Sequence, residues 1–203
     1  MSGNIKLNVI NQTDLTAVNV VICQHNASAG LRANPVAWQV LHNIGRQENR
    51  PFELSHEFGI LAQDPQGNVT PKVSSRRAQA YALSGLDEGP VLTRVKAAGQ
   101  QQHSVEVRNL LEAGDAEVRV YKSDRLLALF AGLAPAEVAA FEFQPHIYIG
   151  LAGQIQEGSV LSDAAASRIT ARINLLGVHS ADIVISSSDQ GPNGANFRLE
   201  NIQ

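Results

Sequence analysis

The sequence predicts a mainly β protein: an antiparallel β-sandwich or barrel-like arrangement, built by internal duplication and carrying one C-terminal α-helix. Three observations predict it. Apolar residues recur at every second position, clusters of Gly, Asn, Asp and Pro punctuate them at short intervals, and the two halves of the chain repeat each other.

Taken in order, Leu7/Val9, Val18/Val20/Ile22, Val36/Trp38/Val40 and Phe58/Ile60 each place one apolar face against a core. Val105/Val107, Val118/Val120, Phe141/Phe143 and Ile147/Ile149/Leu151 do the same in the second half. Turn chemistry separates them at Asp64–Asn68, Leu86–Pro90, Glu112–Asp115 and Gln190–Gly194, where Gly and Asn accept positive φ and Pro fixes its own. Gly150-Leu151-Ala152-Gly153 lacks the strand–loop–helix order of a dinucleotide site and reads as a turn or a close-packing point. Ser162 to Leu176 breaks the pattern: Ser162 can cap a helix, Ala165, Ile169, Ile173 and Leu176 form one stripe, and Gly177 can end it. That helix is expected to cover an open end or face of the sandwich. Ala181–Ser186 and Asn196–Ile202 follow as strands.

The duplication aligns Asn11 with Asn109 and, at the same offset, Val18, Val20 and Ile22 with Ala116, Val118 and Val120. Phe52-Glu53-Leu54 then meets Phe141-Glu142-Phe143 at a shorter offset, which leaves about nine extra residues near Ala27 to Pro35 in the first half. Phe58 and Ile60 fall on Ile147 and Ile149, and the match ends near Gly67-Asn68-Val69 against Gly158-Ser159-Val160. The expectation is one β-rich domain over 1–203, made of related halves of about 1–100 and 101–203 around a continuous core. A residue kept in both halves serves the shared backbone. Asn11 and Asn109 are therefore read as amides satisfying turn backbone, and Glu53 and Glu142 as outward, solvated charges.

Composition excludes several classes. Hydrophobic residues are 44% of the chain, enough for a core, and 16 basic against 19 acidic residues give a net charge of −3, without the basic surplus of a nucleic-acid binder. The single Cys23 cannot form an internal disulfide, and no Cys/His spacing matches a structural zinc site. The N-terminal MSGNIKLNVINQ has no apolar signal core and no apolar run approaches a membrane span, so a cytoplasmic protein is expected. Nucleophile elbow, phosphate loop and His-Glu-x-x-His motifs are missing, and His179-Ser180-Ala181-Asp182 alternates its side chains between two faces of a strand. His25, His42, His56, His103, His146 and His179 form no spaced motif, and no metal or cofactor is expected.

Binding is the better prospect, and its candidates are features of one half only. Trp38 is either a core anchor or a stacking platform for a sugar, and His42 and Arg46 leave the same strand as a polar run suited to a polar or anionic ligand. Asp189, Asn193 and Asn196 lie in a Ser/Asp/Asn/Gly loop whose oxygens resemble what calcium or a sugar hydroxyl would need, or simply make an ordinary loop. Ile5–Asn11 and Phe197–Ile202, sparsely charged, are candidate sheet edges for pairing with another subunit. The expected function is a non-catalytic binding or self-assembling homo-oligomer; the alternatives are a soluble glycan-binding lectin and a hydrolase with a dispersed site.

Overall fold

The computed structural model describes residues 4–28, 35–96, 103–188 and 194–203. Along the chain run β1 (Ile5–Asn11), β2 (Ala17–Cys23), β3 (Gln39–Gly45), β4 (Asn49–Leu54), β5 (Phe58–Gln63), β6 (Val73–Ser75), β7 (Gln79–Leu86) and β8 (Gly89–Val95). The second half repeats the series as β9 (Val105–Asn109), β10 (Ala116–Lys122), β11 (Arg125–Leu133), β12 (Val138–Phe141), β13 (His146–Leu151), β14 (Ala171–Asn174), β15 (Ser180–Ser187) and β16 (Ala195–Glu200). One short helix, α1 (Asp163–Ala166), precedes β14.

The chain divides into two compact units, Met1–His25 with Pro35–His56 and Pro145–Gln203, and Asn26–Asn34 with Glu57–Gln144. The first holds open four-stranded sheets β16-β15-β1-β4 and β14-β13-β2-β3; the second holds β12-β9-β7-β8 and β11-β10-β5-β6. Neither unit is one half of the chain. Every sheet takes two strands from each half, and β1 to β4 stand in the first unit where β9 to β12 stand in the second. The pairings are antiparallel except β1 with β15 and β7 with β9, where strands of opposite halves run parallel.

The repeated sequence positions carry the same hydrogen bonds. Asn11, fully buried, donates to Ile44 O at 3.0 Å and accepts from Thr13 N at 3.0 Å. Asn109, equally buried, donates to Leu133 O at 2.8 Å and accepts from Leu111 N at 2.9 Å. Each asparagine ties the end of its strand to the turn beyond and to a strand of the facing sheet. Opposite them, Glu48 Oε2 accepts from Gly45 N and Glu137 Oε2 from Ala134 N, both at 3.0 Å. Gln47 and Ala136, at φ 62° and 65°, are held left-handed by bonds to the carbonyls of Asn11 and Asn109.

Each unit closes like a sandwich, with Val9, Val20, Ile22, Ile149, Ile183 and Ile185 inside the first and Ile60, Leu83, Val107, Val118, Val120 and Ala139 inside the second. Edge-to-face pairs join the two layers, Trp38 with Phe52 at 6.1 Å and Phe130 with Phe141 at 6.5 Å. The extra residues of the first half begin at the outer edge of β12: Asn26 donates to Ala140 O at 2.9 Å and accepts from Glu142 N at 2.8 Å. This occupies part of an open strand edge.

Two expectations are corrected. The helix expected over 162–176 ends after one turn. Ser162 does cap it, but Ile169 and Ile173 sit four apart, a spacing that serves a strand as well as a helix, and pairing of β14 with β13 decides for the strand. α1 and its flanks cover a face as expected, with Ala165, Ala166 and Ile169 packed on Val21, Cys23 and Val40 on the outward side of β14-β13-β2-β3. Gly150 permits this contact, since a Cβ there would lie 2.2 Å from Arg168 O. The second correction concerns Ile5–Asn11: as β1 it lies between β15 and β4, so it is no edge, whereas β16 is one. A strand with few charges reads alike at an edge and at a centre.

Candidate functional site

The sequence-predicted ligand residues do not converge. Trp38 is 0% exposed and offers no surface for a ring to stack on, so the platform reading gives way to a core anchor. His42 is exposed on β3, and Arg46 is exposed in the following turn, 3.3 Å from Asp14. Asn196 is exposed on β16 of the other sheet, opposite Ser186. Asp189 and Asn193 lie outside the described residues.

The registers bring together what the sequence left apart, namely the outward faces of β16-β15-β1-β4 and its counterpart β12-β9-β7-β8. In the first unit that face carries Asn49, Pro51 and Glu53 of β4, Lys6, Asn8 and Ile10 of β1, Ser180, Asp182 and the buried Val184 of β15, and Arg198 and Glu200 of β16. It is polar. Asp182 accepts from Asn8 Nδ2 at 3.1 Å and from Asn201 Nδ2 at 2.6 Å, beside a hollow of about 290 Å³. Because a carboxylate only accepts, the Asn8 amide nitrogen must face Asp182, and its Oδ1 has no hydrogen-bond partner among the described residues.

In the second unit the equivalent positions hold Val138 and Ala140 of β12, Glu106 and Arg108 of β9, Ala80 and Ala82 of β7, and Thr93 and Val95 of β8. Among these positions only Glu106, Arg108 and Thr93 are polar. Val95 is 41% exposed, Val138 37%, and Leu110, just beyond β9, 52%. The fold accepts Asn49, Glu200 and Gln12 where these three stand, so the sandwich does not require apolar residues there. Sequence reading missed the face because it followed only the inward positions of each strand; the outward residues of the duplicated strands, compared pairwise, carry the signal.

The buried ionisable groups lie elsewhere. Burial pushes the Cys23 thiol up to about 12, leaving it inert at neutral pH. Burial first, and the Arg77 guanidinium second, pull the Lys122 ammonium down to about 7. Its nitrogen lies 4.9 Å from the Phe58 ring centroid and 6.0 Å from that of Phe143. Among the described residues no three His, Cys, Asp or Glu side chains gather into a metal-sized cluster, and no helix is long and apolar enough to cross a membrane. No protein-family model matches the chain, and no curated protein or solved structure does either.

Proposed function

We propose that the protein is a non-catalytic, self-associating β-sandwich protein, and that the outward face of β12-β9-β7-β8 docks on the same face of a second copy. The observation that supports the reading is the contrast just described: exposed Val95, Val138 and Leu110 stand where the duplicate unit carries polar residues. Glu106 and Arg108, two apart on the central strand β9, make the face self-complementary. A two-fold contact sets each glutamate against the partner copy's arginine.

The size of the face sets the strength. Four strands about 4.8 Å apart, with some five residues at about 3.3 Å each, span roughly 300 Å², well under the ~800 Å² per partner of a tight complex. Association in the micromolar to millimolar range follows. Light scattering from micromolar to about 1 mM is expected to show a reversible rise in mass that Val95→Glu with Val138→Glu abolishes at unchanged melting temperature. A mass of one chain throughout would overturn the proposal.

A second reading, binding of a small polar ligand such as a glycan, is favoured by the hollow at Asn8 and Asp182, where an amide oxygen lacks a donor. A glycan array tests it, with Asp182→Ala expected to lose any hits.

A further inference from the structure

On the outward side of β14-β13-β2-β3, four side chains with basic or aromatic groups meet. The His25 ring stacks on Tyr148, with centroids 3.9 Å apart and planes 11° apart, and His146 meets the same ring edge-on at 5.3 Å. Arg172, across the β13-β14 pairing from Tyr148, places Nη2 3.3 Å from His146 Nδ1. A guanidinium only donates, so Nδ1 accepts and the His146 proton sits on Nε2. Gln24 Nε2 holds the strand by bonding His146 O at 2.9 Å.

Two features of this group call for a ligand. Its charge is uncompensated: Arg172 has no carboxylate within ion-pair distance among the described residues, and its guanidinium meets the His146 ring instead. Burial first, then the neighbouring Arg172 and His25, hold the His146 imidazole below its usual range, and burial lowers that of His25. The shared plan of the two units does not demand this group, although Tyr148 also packs against Val21, Cys23 and Val40. The equivalent positions of the second unit hold Ser123, Glu57, Gly59 and Ser74, and there Glu57 is paired with Arg76.

We propose that His25, His146, Tyr148 and Arg172 form a binding site for a tetrahedral oxyanion, a phosphate or sulfate group either free or carried on a larger molecule. Arg172 supplies the permanent charge, the imidazoles donate and gain charge as pH falls, and the Tyr148 hydroxyl adds a donor. The proposal is independent of self-association, which uses the other unit.

The test is imidazole NMR of the full chain at pH 6, titrated with inorganic phosphate against chloride of equal ionic strength. His25 and His146 resonances are expected to move saturably and to titrate at higher pH with phosphate present, while His42 and His179 serve as references. Arg172→Gln is expected to weaken the response about tenfold, and Tyr148→Phe to weaken it less. An AMP arm separates the sources: an equal response assigns the site to the free oxyanion, a tighter one to a phosphomonoester. Movement of His25 and His146 no larger than that of the references, or an unchanged response in Arg172→Gln, would overturn the proposal.

Discussion

Replacing Asn11 by Ala removes an amide from a site with no exposed surface, and the loss can be worked out bond by bond. Thr13 N and Ile44 O each lose a partner and stay buried. The Thr13 hydroxyl, 2.7 Å from Asn11 Oδ1, can turn elsewhere. A stranded buried backbone group costs about 1–3 kcal/mol, so two cost about 2–6 kcal/mol, a large share of the 5–15 kcal/mol that stabilises a typical domain. Asn109→Ala strands Leu111 N and Leu133 O, the same two kinds of group, and the cost is expected to match within about 1 kcal/mol. The two sites share no partner, so the double variant is expected to sum the singles. Urea unfolding followed by circular dichroism, with the denaturant slope checked for constancy, measures all three. A loss below about 1 kcal/mol in either single variant, or costs differing severalfold between them, would refute the claim that these asparagines do the same work in both units.

Other perturbations follow from the same structure. The Lys122 folded pKa of about 7 lies below the 10.5 of the free side chain, so between those values the unfolded chain binds more protons and stability rises with pH. Lys122→Met is therefore expected to stabilise the protein at pH 7, and its advantage over the parent to shrink by about 1 kcal/mol per unit toward pH 9; a pH-independent difference in urea midpoints would count against this. Gly150→Ala forces the backbone at Arg168 off β13 and is expected to cost about 1–3 kcal/mol, read as a lowered melting temperature. Because every sheet mixes strands of both halves, co-expressed chains 1–99 and 100–203 are expected to co-purify one to one through a tag on either; recovery of the tagged fragment alone would refute the interleaved strand order.

Alternation made the strands legible, since burying one face of a sheet leaves a period of two in the sequence. The duplication was legible in Asn11 and Asn109 because a fully buried amide tolerates few substitutes. Glu48 and Glu137, equally matched and locking the same turn, went unread because in sequence a glutamate between strands looks like any solvated charge. Interleaving left no trace, because alternation says which way a side chain faces and nothing about which strand lies beside it. The same ambiguity hid the central place of β1. At Ile169 and Ile173 local spacing fits two periods, and a long-range partner, β13, chose between them.

Two units built on one plan supply an internal control that a single sandwich lacks: what the backbone demands recurs, and what differs is free to serve something else. Lys122 shows how the control separates the cases. A buried lysine with a lowered pKa invites a catalytic reading, yet at the equivalent place in the first unit stands Gln24, 3% exposed and donating to His146 O. Both units bury a long side chain ending in a nitrogen donor at the end of the same strand, so the position serves the fold and lysine is one of two ways to fill it. His25, His146, Tyr148 and Arg172 pass the opposite test, since Ser123, Glu57, Gly59 and Ser74 share none of their chemistry. Val95, Val138 and Leu110 pass it too. The polar cluster of one unit and the apolar face of the other are thus the places where the repeats diverged while the strand order, the Asn11/Asn109 locks and the alternating core stayed the same.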